Sequence, residues 1–471
     1  MKGKILEKND LALFFEPKSL AVIGSFREAS FGGYVVVRTL LNAGFAGKIY
    51  PVNPSYKEVL GLKVYPSVKD VPGEVDLVLI IIGCRAVPKV MEECTEKGIK
   101  AAIIVSDGFA ERNEEGVALQ KKISEIARMN KMHIIGPNTA GVANPANGLI
   151  PCPYVTGYER IKKGGIAICG QTGMINPQAF PYADVNYGVS KICDFGNKSD
   201  VDECDMLEYL ENDPATKVIT MYLETIRDGR RFLEISKRVT PEKPVLILKS
   251  GRTEEGARVS ASHTGSLAVD DQIFNAACKQ GGIIRLEKFR EIFELPKIFA
   301  LQPLPKGNQL GIISYTGGVG VLATDEAEKY GLSNAKLSSE TITKLDAIFP
   351  GLGKTIVDIG PGMVVVTDFM SVYPEIMKTV LRDDNIDCLL NVIWLDPSGG
   401  LIEGYIKTYK ELQKRFQKPI ATWIYGPRLP AIDDLALRLE DLGFPVFADF
   451  EMGIKALGIA WQYAIRKKGE K

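Results

Sequence analysis

Two side chains of this sequence suit phosphoryl transfer. Only two histidines occur in 471 residues, and one, His263, lies in the run ARVSASHTGSLAVDD (257–271) among Ser, Ala, Thr and Gly. A neutral imidazole attacks an activated phosphoryl group well, provided a carboxylate on its other nitrogen fixes the tautomer and stabilises the product. Glu224 is a candidate for that carboxylate, because it closes the strand-like run VITMYLE (218–224). The next such run, PVLILKS (244–250), delivers the chain to the same sheet edge shortly before His263. Small neighbours Ser262, Gly265 and Ser266 leave room for a phosphate in a segment that reads as a loop. Plainer roles exist: Glu224 can pair with Arg227, and a histidine can be satisfied by backbone. His133, on the apolar run KMHIIGP, reads as structural.

Two turns offer anion sites. GGIAICGQTGMINPQAF reads as strand, tight turn and helix, which puts Gln171, Thr172 and Gly173 at a helix N-terminus. Free N–H groups and the helix dipole attract an anion there, and Thr172 also suits a simple N-cap. SLAVIGSFREASFGGYVVVRTLL repeats the logic, with a strand ending at Gly24 and a helix starting near Gly33. Its spacing is not GxGxxG, so phosphate-bearing ligands other than a dinucleotide stay open. The following run, YPVNPSYKEV, offers Asn53, Pro54 and Lys57 where a dinucleotide enzyme carries an acid for the ribose. A lysine there suits a phosphate, or solvent.

These residues need strands to aim them, and β-branched runs alternate with amphipathic stretches throughout. The first set is SLAVIG, KIYPVNP, LVLIII, AAIIV and HIIGP. The second is GGIAICG, SKICDFG, VITMYLE, PVLILKS and GGIIRL. The third is LGIISY, AKLS (335–338), CLLNVIW, PIATWIYG and FPVFAD. Pro/Gly-rich stretches, NPANGLIPCPYVTG and FALQPLPKGNQ, separate the sets. The fold class expected is α/β, with three doubly wound domains over 1–148, 149–300 and 306–471. Strand ends running into Gly or Ser mark the ligand edge of each.

Composition narrows the classes. Hydrophobic residues are 45% and charged residues 25%, as in a soluble globular protein. Lys plus Arg equals Asp plus Glu at 58 each, so no basic bias points to nucleic acid or an anionic membrane. Eight cysteines without a CxxC pair suggest reduced thiols, no disulfide framework and no metal site. MKGKILEKND lacks a signal-peptide core, and no apolar run is long enough to span a bilayer. A cytoplasmic protein is expected.

Together the motifs resemble the NDP-forming (ADP-forming) acyl-CoA synthetases, relatives of succinyl-CoA synthetase. FFEPKSLAVIG with YPVNP is similar to that family's CoA-binding start. GPNTAGV resembles its GPNC-G turn, with Thr139 for Cys. FGNKSDVDECDMLEYL, YLETIRDGRRF and KSGRTEEGARVSASHTGSLA resemble its central segments, the last most specifically. GNQLGIISYTGGVGVLATDEAEKYGL resembles the second flavodoxin-like unit of the α subunit. The resemblance implies a Rossmann-like CoA-binding domain and two flavodoxin-like ligase domains. It implies acyl-CoA + ADP + phosphate ⇌ carboxylic acid + CoA + ATP, through an acyl phosphate and a phosphohistidine at His263. It gives Glu224 the steadying carboxylate, Thr172 and Gly173 the phosphate, and Gly24, Ser25, Phe26, Asn53, Pro54 and Lys57 the CoA site. No segment after Pro350 reads as an ATP-grasp fold, so ADP/ATP and Mg²⁺ are expected on a separate ATP-grasp β subunit in an α2β2 assembly.

Three departures from the family pattern stand out. Gly170-Gln171-Thr172-Gly173 replaces Ser-Gln-Ser-Gly, Gly83 replaces a Pro, and Thr355-Ile356-Val357-Asp358 replaces Asn-Pro-Val-Asp. A catalytically inactive, ligand-sensing relative has no use for both His263 and Glu224, and a dinucleotide oxidoreductase lacks its fingerprint here.

Overall fold

The computed structural model describes residues 11–154, 161–175, 188–264, 270–354, 356–365, 368–396, 398, 400–427 and 430–469, with backbone alone for 261–264 and 363–365. The chain divides into two compact units, Met1–Ile292 and Phe293–Lys471. Among the described residues no helix is long and apolar enough to cross a membrane.

The first unit holds two sheets. Its first sheet uses β1 (Ser19–Gly24), β2 (Lys48–Val52), β5 (Leu77–Ile81), β6 (Ala101–Ile104) and β7 (His133–Ile135); a small ribbon, β3 (Glu58–Val59) and β4 (Leu62–Lys63), follows β2. The order is β2-β1-β5-β6-β7, all parallel. Strands β1 and β6 are buried at every residue, which is why they read as unbroken apolar runs rather than alternating ones. Pro51 is tolerated because β2 is an edge strand.

The second sheet uses β8 (Val142–Ala143), β9 (Lys163–Gly170), β10 (Val189–Asp194), β11 (Val218–Leu223), β12 (Val245–Lys249) and β13 (Ile284–Leu286). Its order is β13-β12-β11-β9-β10-β8, parallel except for β8. Strand order reverses between β1 and β5 in one sheet and between β9 and β11 in the other. Such switch points open a crevice at the carboxyl ends of the strands. A single buried apolar cluster runs from Leu20 and Leu79 to Cys169 and Met221, so the two sheets share a core.

The second unit repeats the design with β14 (Gln309–Ser314), β15 (Ser333–Asn334), β16 (Val357–Asp358), β17 (Cys388–Trp394), β18 (Ile420–Tyr425) and β19 (Val446–Phe447), ordered β15-β14-β17-β18-β19 with β16 on β14. The strand expected at 335–338 is displaced. Pairing occurs at Ser333–Asn334, Ala335 N–H still reaches Leu310 O at 2.9 Å, and the chain then leaves so that Ser338 can cap the helix Ser339–Ile348. Inside this unit Asn391 donates to the hydroxyls of Tyr373 (2.7 Å) and Tyr409 (2.6 Å), all three fully buried.

Candidate active site at two switch points

At the second sheet, Gly170 ends β9 opposite Tyr222 of β11. A Cβ on Gly170 would lie 2.9 Å from Tyr222 O, so the strands approach too closely there for a side chain. Gln171 follows, buried, and joins the two strand ends. Its Oε1 accepts the backbone N–H groups of both Glu224 (2.9 Å) and Thr225 (3.0 Å), and its Nε2 donates to Thr225 Oγ1 (3.2 Å). Glu224 is buried immediately after β11 and accepts from Tyr222 OH at 3.2 Å. Thr172 Oγ1 accepts Met174 N–H at 3.3 Å, and the turn Gly173–Ile175 is a single 3₁₀ turn. The helix expected beyond it falls in 176–187, outside the described residues.

Sequence reasoning missed Asp194, the last residue of β10 and the acid on the other side of β9. It is buried, and accepts Ala140 N–H at 2.6 Å and Gly196 N–H at 3.2 Å. Burial pushes its carboxyl up to about 6; the two N–H bonds and Thr139 resist that rise, and the charge of Glu224 adds to it. Two acids thus flank the Gly170–Gly173 turn. Lys198 was missed as well. Its buried ammonium lies 2.8 Å from Glu203 Oε2 and 2.7 Å from Thr225 O, which braces the loop after Glu224. Both signals were in the sequence, as single charged residues where an apolar strand gives way to FGNKS, but spacing alone does not separate them from surface charges.

GPNTAGV forms the seam between the two sheets of this unit. Asn197 N–H donates to Pro137 O at 2.9 Å and Ser199 N–H to Gly136 O at 3.1 Å. Thr139, standing where the family carries Cys, donates its hydroxyl to Asp194 O and accepts Gly141 N–H at 2.9 Å. His133 is structural, as expected: its Nδ1 lies 3.0 Å from Asp200 Oδ2, which also accepts Ile134 N–H.

At the first sheet, Gly24 lies opposite Ile81 across the switch point. A Cβ on Gly24 would sit 2.6 Å from Ile81 Cγ2 and 3.2 Å from Ile81 O, so this cradle admits backbone only. Asn53 donates to Gly24 O at 2.8 Å and accepts Ser55 N–H at 2.8 Å, which commits its amide to shaping the turn. Phe26 is buried edge-on to Tyr56, with ring centroids 5.8 Å apart. Ser25, Pro54 and Lys57 are exposed at the same edge. Of the six residues, Gly24 and Phe26 are buried, Asn53 is half-buried, and Ser25, Pro54 and Lys57 are open to solvent or a ligand.

His263 is not in a loop. It occupies the last turn of the helix Glu254–Thr264, which leaves the edge of the sheet after β12. Two acidic residues in the first turn and Thr253 Oγ1, accepting Gly256 N–H at 3.0 Å, favour helix over the loop expected from the small residues. The imidazole and residues 265–269 lie outside the described residues. Strand β12 pairs with β11, so that helix starts one strand from Glu224.

A CoA-dependent ligase is the class this arrangement defines. Residues 18–145 match the model of a CoA binding domain, and residues 163–299 that of a succinyl-CoA ligase like flavodoxin domain. The chain belongs to the ADP-forming acyl-CoA synthetases of the succinyl-CoA synthetase superfamily. It is 39% identical over 464 residues to the ADP-forming acetate–CoA ligase II of Archaeoglobus fulgidus, covering 97% of this chain and 68% of that protein. It is 38% identical to the α subunit of the ADP-forming acetate–CoA ligase II of Pyrococcus furiosus, over 85% of this chain and 87% of that one. The acetyl-coenzyme A synthetase 1 of Ca. Korarchaeum cryptofilum, solved with phosphate and ADP, superposes with a TM-score of 0.85 at 29% identity, covering 98% of each chain.

Gln171→Leu tests the stitch between β9 and β11. It strands two buried backbone N–H groups, so thermal unfolding is expected to move down by several degrees, and the Glu224 loop to gain hydrogen exchange. Gln171→Glu keeps the acceptor and is expected to restore most of the protection. Equal protection in the leucine variant would remove Gln171 from this role.

Proposed function

We propose that this chain is the α subunit of an ADP-forming acyl-CoA synthetase and runs acyl-CoA + ADP + phosphate ⇌ carboxylic acid + CoA + ATP by way of its own histidine. Phosphate oxygen attacks the thioester carbon and the C–S bond breaks, giving acyl phosphate and free CoA thiol. The His263 nitrogen then attacks phosphorus, the P–O bond to the acyl group breaks, and the carboxylate leaves. ADP finally takes the phosphoryl group and the imidazole is restored. Thioester, acyl phosphate, phosphohistidine and ATP have similar transfer potentials, so each step is reversible.

In this reading Glu224 holds the imidazole, and Thr172 and Gly173 hold the phosphate. Threonine serves where the family has serine, because the acceptor oxygen is retained at the turn. Gly24, Ser25, Phe26, Asn53, Pro54 and Lys57 form the CoA site, Gly24, Phe26 and Asn53 by shaping it. ADP/ATP and Mg²⁺ bind a separate ATP-grasp β subunit, and the assembly is α2β2. The domains run 1–148 for CoA, 149–300 for the phosphorylated histidine and 306–471 for the second ligase domain. One observation carries the reading: Glu224 and the Gly170–Gly173 turn are locked together at a switch point, in the sheet whose next strand leads to the His263 helix.

The test is to incubate the chain with labelled phosphate and a panel of acyl-CoAs. Acid-labile, base-stable label that depends on the acyl-CoA is expected. No label with any thioester, with and without a β subunit, would favour a ligand-sensing relative instead.

A further inference from the structure

Among the exposed large apolar side chains described in the first unit, two aromatic ones touch. Phe31 and Tyr154 are 46% and 40% exposed, and their rings stack at a tilt with centroids 4.9 Å apart. A lone exposed aromatic is ordinary, whereas a pair held in place by backbone asks for an explanation. An antiparallel bridge joins Phe31 to Tyr154, and Gly32 N–H donates to Pro153 O at 2.9 Å. Phe31 belongs to the turn between Gly24 and the helix Gly33–Asn42, at the CoA edge of the first sheet. Tyr154 also stands near the second sheet's edge: the carbonyl of Pro151, three residues before it, lies within van der Waals reach of Gly141, whose own carbonyl accepts Asp194 N–H at 2.9 Å. Its hydroxyl is held above its ordinary range by burial first, then by Cys152 and by the negative charges of Asp194 and Asp107. Asp194 ends β10 beside the Gly170–Gly173 turn, and Asp107 follows β6. The pair therefore stands between the turn assigned to CoA and the turn assigned to phosphate.

Under the function proposed above, on which this inference rests, the thioester carbon has to lie between those two turns for phosphate to reach it. The acyl chain hangs from that carbon. We propose that Phe31 and Tyr154 are specificity-determining residues that form the wall against which the acyl chain packs, selecting uncharged, apolar acyl groups over dicarboxylic ones. Aromatic faces gain with each methylene laid against them, and one methylene in an apolar site is worth about tenfold or more in kcat/KM. A second carboxylate on the acyl chain meets the like charges of Asp107 and Asp194 instead, and repulsion of that kind gives discrimination.

The experiment measures kcat/KM for acetyl-, isobutyryl-, phenylacetyl- and succinyl-CoA with the chain and its β subunit, for the wild type, Phe31→Ala, Tyr154→Ala and the apolar control Tyr154→Leu. The wild type is expected to use isobutyryl- or phenylacetyl-CoA at least as well as acetyl-CoA, and succinyl-CoA at least about 100-fold less well. Both alanine variants are expected to lose about tenfold or more in the ratio of the bulky thioester to acetyl-CoA, with acetyl-CoA itself changed less than about threefold. Tyr154→Leu is expected to keep part of that ratio. Ratios unchanged in both alanine variants, or all thioesters falling in parallel, would overturn the proposal. So would a wild type that accepts succinyl-CoA as readily as acetyl-CoA. A wild type that turns over none of the four defeats the underlying function, a result distinct from any change in ratio.

Discussion

His263→Asn is expected to abolish the acid-labile phosphate on the chain and to lower acyl-CoA-dependent ATP formation by at least about 10⁴-fold, the scale on which enzymes lose activity with their nucleophile. Asparagine has similar reach and polarity, but its amide nitrogen carries no available lone pair, so the phosphoryl group has nowhere to go. The variant also separates the two halves of the reaction. Attack of phosphate on the thioester takes place before the histidine is used. Free CoA and acyl phosphate are therefore expected to appear once, up to the amount of enzyme, and then to stop. CoA binding is expected to change less than about twofold, because the Gly24 turn belongs to the other sheet. A purified variant that still carries acid-labile label would mean that another residue accepts the phosphoryl group.

Much of this was legible in the sequence, and the exceptions have physical causes. Buried parallel strands advertise themselves as apolar runs, so SLAVIG, LVLIII and GGIAICG placed the sheets and hence both switch points. Gly24 and Gly170 were legible for a related reason, since backbone must approach backbone where two strand ends converge. The His263 segment misled in the opposite direction. Small residues mark a loop only when nothing else specifies a helix, and Thr253 with two following acids does specify one. Asp194 and Lys198 were not legible, because their significance lies in what is opposite them. Asp194 matters through Ala140 and Gly196, the first 54 residues away in sequence, and Lys198 through Thr225, 27 away. What Asn53 and Phe26 add to the turn was not legible from spacing: the Asn53 amide donates to Gly24 O, 29 residues away, and the Phe26 ring is buried.

Glu224→Gln is the second large effect, and it separates charge from shape. Glutamine keeps an oxygen for Tyr222 OH, keeps the backbone N–H bonded to Gln171, and fills the same volume. It removes only the negative charge that stabilises a cationic or phosphorylated imidazole. Phosphohistidine formation from acyl-CoA and phosphate is expected to slow by about 10²- to 10⁴-fold, the range over which neutralising the orienting carboxylate acts in histidine-dependent enzymes. CoA affinity is expected to stay within about threefold. The same substitution has a readout at a second residue. The Glu224 charge helps to hold the Asp194 carboxyl up at about 6, so in the glutamine variant Asp194 is expected to ionise at lower pH, visible in the carboxyl carbon shifts. A fall in Asp194 together with slow phosphorylation places the charge of Glu224 in both roles. A fall in Asp194 with phosphorylation at the wild-type rate would show that the two acids interact while His263 takes its phosphoryl group without Glu224, and the carboxylate that steadies the imidazole would then have to be another residue.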